Sequence, residues 1–239
     1  MSADPREYYD RFSTSYNVRR GRGYHAVIDA IEADAIPRGP SLRILEAGCG
    51  TGLVMDRVRS RGTTDLFGID LSAGMLAVAR EHRSRVAQAS VTALPFRDAS
   101  FDVAYSFKVL AHVPDIQMAL QEMARVVRPG GTIVVEFYNR NSLRGVRWLL
   151  KRAFGGESTG ERQRETELFT RYDSVRQMVG YLPAHTSVTA IRGAIIATPA
   201  AAAMRVPVLG ALLGGIERLL ATSFLARYAG FVIVVARRL

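Results

Sequence analysis

The segment LRILEAGCGTG, residues 42–52, constrains the fold more than any other part of the chain. A short apolar run ends in Glu46, three glycines follow at alternate positions (Gly48, Gly50 and Gly52), and a helix-compatible stretch comes next. That order predicts a strand, a sharp turn and a helix start, which is where α/β sheets receive ligands. Glycines let the backbone turn through left-handed conformations and approach a ligand with no Cβ in the way. The first helical turn offers N–H groups to a carboxylate. Asp70 ends the next apolar run, where its carboxylate can accept hydrogen bonds from both hydroxyls of a ribose.

The same alternation continues beyond this unit. Apolar runs predict strands over 43–47, 66–70, 85–91, 101–107 and 132–138, and amphipathic stretches predict helices over 52–61, 73–83 and 115–127. The last helix spaces Ile116, Leu120, Met123 and Val127 along one face and stops at Arg128-Pro129-Gly130-Gly131. Repeated βαβ units imply an α/β fold built on a parallel sheet. After Tyr138 the pattern loosens. A basic helix containing Trp148 is expected over 141–154, a loop over 155–160, a helix over 172–179, and closing strands over 187–191 and 231–236. Residues 194–225, rich in Ala, Leu, Val and Gly, are too many for an ordinary connection and read as a lid.

The length of 239 residues fits one domain with insertions. The expected division is N-terminal cap helices over 1–40, a ligand-binding core over 41–138, and insertions over 139–170 and 193–225 that form a substrate lid. A hydrophobic share of 48% and a charged share of 23% exclude disordered and fibrous architectures. Cys49 is the single cysteine, and with His25, His82, His112 and His185 scattered, and His25, His82 and His185 read as without an acidic partner, neither a disulfide nor a metal site is expected. The opening MSADPREYYDRF lacks a secretory pattern, and Pro199, Arg205 and Pro207 break the longest apolar region, so a cytoplasmic location is expected. The net charge of +10 rests almost wholly on arginine, with only Lys108 and Lys151 as lysines, which reads as compositional bias rather than a nucleic-acid footprint. Trp148, Leu149 and Leu150 beside Arg144, Arg147, Lys151 and Arg152 leave peripheral membrane contact open.

The loop details narrow the ligand. A dinucleotide fingerprint starting at Gly48 requires a third glycine where Leu53 stands, and no Lys-Ser or Lys-Thr pair ends the run as a phosphate-binding loop requires. Glu46 would repel a pyrophosphate but suits the ammonium of an amino acid. A ribose joined to a cationic amino acid satisfies both ends.

With YYDRFSTSYN, LEAGCGTG, GIDLSAGML, ALPFRDASFDVAYS, LAHVPD and EMARVVRPGGTIVV in this order, the chain resembles class I S-adenosylmethionine-dependent methyltransferases over roughly residues 8–138. The likeness is strongest to the group related to ubiquinone and menaquinone biosynthesis enzymes. It implies a Rossmann-like sheet, mostly parallel with an antiparallel final strand and helices on both faces, and S-adenosyl-L-methionine as cofactor. It also implies that Glu46, Gly48, Cys49, Gly50 and Gly52 line the methionine half and that Asp70 holds the ribose. By the same likeness Leu71 and Met75 pack on adenine, and Ser90, followed by Val91, stands where the family carries an adenine-binding Asp. Phe107 and Lys108 fall beside the sulfonium, and Tyr8, Tyr16 and Arg20 belong to a capping segment.

Methyl transfer from a sulfonium is an in-line displacement governed by alignment and water exclusion. A base is needed only for a neutral hydroxyl or a carbon acid. His112 in LAHVPD is the candidate base, set against a role in shaping the pocket floor. Tyr138 is a packing residue that could polarise an acceptor, and Cys49, although near a helix start where thiol pKa values can fall, has no adjacent His and is not expected to act as a nucleophile. The apolar 194–225 region favours a small hydrophobic acceptor, quinone-, polyketide- or lipid-like. Methylation of RNA or protein, and a non-catalytic S-adenosylmethionine-binding module, are the alternatives.

Overall fold

The computed structural model describes residues 4–17, 20, 23–82, 85–142, 168–198 and 201–239. Among these lie seven strands: β1 Arg43–Ala47, β2 Asp65–Asp70, β3 Arg85–Gln88, β4 Phe101–Ser106, β5 Val127–Tyr138, β6 Thr186–Ala194 and β7 Phe231–Arg238. The helices are α1 Pro5–Tyr16, α2 Gly23–Ala35, α3 Leu53–Arg59, α4 Ala73–Glu81, α5 Ile116–Val126, α6 Val175–Gly180 and α7 Pro207–Leu220. One sheet runs in the order β3-β2-β1-β4-β5-β7-β6. The pairs from β3 across to β5 are parallel, and β7 lies antiparallel between β5 and β6. The chain first builds outward from β1 to β3 and then restarts on the other side of β1 with β4. This reversal opens a crevice at the carboxyl ends of β1 and β4, the position at which such sheets bind ligands.

The period-2 alternation of the strands creates two cores, one on each face of the sheet. Leu45 and Ala47 of β1, Ile133, Val135 and Phe137 of β5, and Val232 and Val234 of β7 pack with Leu120 and Met123 of α5 and Met178 of α6. Ile44, Val103, Val134 and Ile233 face the other way, against Ile28 and Ile31 of α2, Met55 and Val58 of α3 and Leu76 of α4. Helices therefore cover both faces. The same alternation places Glu46, Tyr105 and Glu136 on the α2 side, each fully or almost fully buried.

Several elements differ from the sequence expectation for local reasons. β3 stops at Gln88 because Ser90 turns the chain: the Thr92 N–H donates to the Ser90 hydroxyl at 3.2 Å. β5 begins at Val127 directly after α5; Val127 pairs with Phe101, and 128–131 bulge out so that Thr132 pairs with Val103. α6 starts at Val175 because Ser174 and Gln177 form a reciprocal capping box. β6 reaches from Thr186 to Ala194, sustained by pairing with β7 along its length. Beyond it, the expected lid forms a 3₁₀ turn at Ala201–Arg205, α7, and a second 3₁₀ turn at Phe224–Tyr228. The helix expected over 141–154 lies, past residue 142, outside the described residues, as do the loop 155–160 and the basic Trp148 cluster.

Candidate active site

At the crevice, a cavity of about 430 Å³ opens beside the turn that follows β1, a volume ordinary for a small-molecule site. The turn is glycine-built for a physical reason. Gly48 has φ +86° and Gly50 φ +51°, and a Cβ on Gly48 would overlap the Val109 side chain. Above Gly50 a Cβ would meet no atom within 4 Å, so the backbone there faces open space. The loop is tied down from below, with Gly48 and Cys49 N–H both donating to the Ile69 carbonyl at 2.7 and 2.8 Å.

Asp70 reaches the cavity with its carboxylate already oriented. One oxygen accepts from the Gly50 N–H at 2.8 Å and the other from the Ser72 N–H at 2.9 Å. Burial raises the Asp70 pKa, an effect opposed by the bonds from Ser72, Gly50 and Leu71. Leu71 and Met75 border the same end, with Ser90 and Val91 opposite. The Ser90 hydroxyl lies 2.7 Å from that of Thr92, another lining residue.

Phe107, Lys108 and His112, just past β4, form the other end, and Tyr16 of α1 closes the top. Lys108 holds φ +60°, a left-handed conformation that costs a non-glycine residue about 1 kcal/mol or more. Its ammonium is pinned by α2, 3.1 Å from Asp29 and 2.6 Å from Glu32. Although desolvation favours the neutral amine, Glu32 and its neighbours hold the Lys108 pKa above the ordinary lysine value. Glu136 completes this buried group, its own pKa pushed well up by desolvation and by the negative charge of Glu32. His112 Nδ1 lies 3.0 Å from the Phe169 carbonyl and 3.2 Å from the Thr170 hydroxyl. A carbonyl only accepts, so Nδ1 carries the proton in that contact, and in the neutral ring the lone pair is on Nε2.

Four residues expected at the cofactor stand back from the cavity lining. Glu46 lies buried behind the loop, accepting from the Tyr105 hydroxyl at 2.8 Å, and desolvation raises its pKa well above the carboxylate range despite that bond. Cys49 is also buried, and burial, followed by the charges of Glu46 and Asp70, pushes its thiol pKa up. The depression that a nearby helix start would give is overridden. Gly52 is the left-handed N-cap of α3. Arg20 stacks over the Tyr16 ring at 4.6 Å and pairs with Asp29 at 3.9 Å. Of the capping tyrosines, Tyr9 and Tyr16 line the cavity, whereas Tyr8 packs edge-on against Tyr9. Tyr138 packs edge-on against His112 and Phe231. Among the described residues, 195–198 and 201–225 supply none of the lining, and α7 instead packs on α2, where a Cβ on Gly214 would lie 3.4 Å from Val27. His82, read as lacking an acidic neighbour, lies 3.8 Å from Asp56.

Sequence reasoning missed the lining residues Tyr9, Thr92, Val109, Val113 and Pro114, and also Asp10, which fastens the cap. From α1 it accepts the Ser72 hydroxyl at 2.6 Å and the Gly74 N–H at 2.8 Å, fastening the cap to the start of α4 beside Asp70. These bonds lower its pKa, that from Ser72 most.

The sheet and its helices are the Rossmann-like fold shared with S-adenosylmethionine-dependent methyltransferases of known structure. Residues 45–135 match the family described as methyltransferase domain. Malonyl-[acyl-carrier protein] O-methyltransferase from Erwinia pyrifoliae is 38% identical over 110 residues, 45% of this chain and 42% of that protein. Ubiquinone biosynthesis O-methyltransferase from Alkalilimnicola ehrlichii is 38% identical over 106 residues, 41% of this chain and 42% of that protein. The matched stretch thus spans less than half the length of either relative. Among solved structures, a Thermotoga maritima methyltransferase described as S-adenosylmethionine-dependent and a possible histamine N-methyltransferase shares the fold. It matches 97% of this chain and 98% of its own with a TM-score of 0.66 at 19% identity.

Proposed function

We infer that this protein transfers the methyl group of S-adenosylmethionine to a small, hydrophobic acceptor. The observation that carries this reading is a single cavity with two chemically different ends. One has the fixed Asp70 carboxylate and the open backbone of Gly50, and the other is walled by Phe107, Val109, Val113 and Pro114 with His112 among them. The residues present suit the cofactor. Asp70 would hold the ribose, Leu71, Met75 and Val91 the adenine, and Gly48 and Gly50 the methionine portion. When bound, S-adenosylmethionine supplies an electrophilic methyl group on a sulfonium.

The chain's own residues then align and exclude water. Tyr9 and Tyr16 close the cap over the cavity, and Asp10 keeps that cap docked. For an acceptor hydroxyl or carbon acid, His112 takes the proton at Nε2 while Phe169 holds the ring through Nδ1. The two curated relatives are named for O-methyl transfer to a carrier-bound malonyl group and in ubiquinone biosynthesis, which supports an oxygen acceptor on a small molecule. The test is incubation with methyl-labelled S-adenosylmethionine and a panel of prenylated phenols, fatty acids and acyl thioesters. Label in an apolar acceptor together with S-adenosylhomocysteine release is the expected result, and label confined to RNA or protein would overturn it.

A further inference from the structure

α7 is built inside out. Its one acidic side chain, Glu217, points into the protein with no exposed surface. There its carboxylate accepts from the N–H groups of Ile196, Ala197 and Thr198 at 2.7, 2.9 and 2.6 Å, and from the Thr198 hydroxyl at 2.7 Å. On the opposite side, several apolar side chains face water. Val208 is 83% exposed and Leu212 61%, with Leu219 at 77% and Phe224, in the next turn, also at 77%. Positions 208, 212 and 219 fall on one helical face, where a globular helix normally carries its polar residues. Val206 and Leu209 widen the strip, and an open groove between β6 and the 224–228 turn continues from Phe224 past Arg227 and Tyr228.

Charge decides what such a face would meet. From Gly193 to Leu239 the sequence contains no acidic residue other than Glu217. Arg205, Arg218 and Arg227 are exposed around the strip, and none forms an ion pair among the described residues. A second copy of the chain would bring the same arginines and the same net charge of +10 against them. An anionic bilayer instead offers hydrocarbon for the leucines and headgroup charge for the arginines.

We propose that the outer face of α7 and the turn after it dock this protein on anionic lipid bilayers. The contact is peripheral, since no helix among the described residues is long and apolar enough to cross a membrane. α7 packs on α2, which carries the Asp29 and Glu32 that hold Lys108 in the cavity wall. Docking therefore sets the cavity's own scaffold against the membrane. The proposal stands apart from the methyl-transfer reading, because lipid binding needs no turnover.

The experiment is co-sedimentation of the full chain with vesicles of phosphatidylcholine alone and of equal parts phosphatidylcholine and phosphatidylglycerol. Wild type is expected to bind the anionic vesicles and to be released by raised salt. The triple variant Arg205→Gln, Arg218→Gln, Arg227→Gln is expected to bind about 100-fold more weakly, given roughly fivefold per lost cation near an anionic surface. The triple variant Val208→Ser, Leu212→Ser, Leu219→Ser is expected to lose about tenfold or more by forfeiting apolar burial. Both should keep wild-type S-adenosylhomocysteine affinity, which reports an intact fold. Four results would overturn the proposal: no binding to anionic vesicles, equal and salt-insensitive binding to both vesicle types, undiminished binding by the variants, or sedimentation equilibrium showing a dimer that Leu212→Ser dissolves.

Discussion

Truncating Glu217 to alanine should be among the most damaging single changes in the chain, although the residue is remote from the cavity. Its carboxylate accepts three backbone N–H groups and one hydroxyl within 2.6 to 2.9 Å. The N–H groups of Ile196 and Thr198 are buried, so alanine leaves both without an acceptor. At roughly 1–3 kcal/mol for each stranded donor, less what entering water restores at Ala197, the loss is about 3–5 kcal/mol. For a chain of this size that corresponds to a fall of about 10 °C in melting temperature. Glu217→Gln keeps one acceptor oxygen but turns an NH₂ toward the remaining donors, so it should lose about half as much. Urea titration of wild type and both variants, followed by far-ultraviolet circular dichroism, measures the series. An alanine loss below about 1 kcal/mol would refute the reasoning, because the 196–198 amides would then be satisfied without the carboxylate.

His112→Gln should lower kcat about 100-fold on a hydroxyl acceptor and leave S-adenosylhomocysteine affinity unchanged, as expected of a lost general base; steady-state kinetics checks this, and a loss under about fivefold would reduce His112 to a wall residue. Glu136 has a folded pKa raised by burial and by Glu32, so its contribution is fully present below the unfolded value near 4.5 and declines as pH rises through the folded value. Glu136→Gln should therefore flatten the decline in stability from about pH 5 upward in denaturant titrations run at several pH values, and an unchanged slope would contradict this. Asp10, Asp102 and Glu122 have lowered pKa values, so they stabilise the fold above the unfolded carboxylate range and lose that contribution in acid, below about pH 4. Cys49, buried and with its thiol pKa raised, should react with a disulfide reagent only on unfolding, and rapid labelling of the native protein would show the loop to be open.

What the sequence discloses and what it hides divide along contact distance. The strand, glycine turn and Asp70 were legible because the backbone geometry of Gly48 and Gly50 leaves a signature in adjacent residues. The docking of Asp10 on Ser72 spans 62 residues and that of Lys108 on Asp29 spans 79, and nothing near either partner in sequence announces them. Only the Ser72 N-cap of α4 was open to local reading. For Cys49, proximity to a helix start is visible in sequence whereas burial against Gly68 is not. The 194–225 stretch hides its packing differently: its composition reads as a lid over the cavity, and nothing local foretells that Glu217 turns inward while Val208, Leu212 and Leu219 turn out. Helical period alone assigns the greasy face to the core, and the three amides of 196–198 that donate to Glu217 reverse that choice.

The most direct test of the central claim is calorimetric titration of the wild-type chain and of Asp70→Ala with S-adenosylmethionine and S-adenosylhomocysteine. The site described here requires saturable one-to-one binding of both ligands by wild type. It also requires a loss of about 100-fold or more in the folded variant, as removal of charge-assisted ribose bonds implies. Folded wild type that binds neither ligand, or an Asp70→Ala variant that binds as well as wild type, would contradict the account.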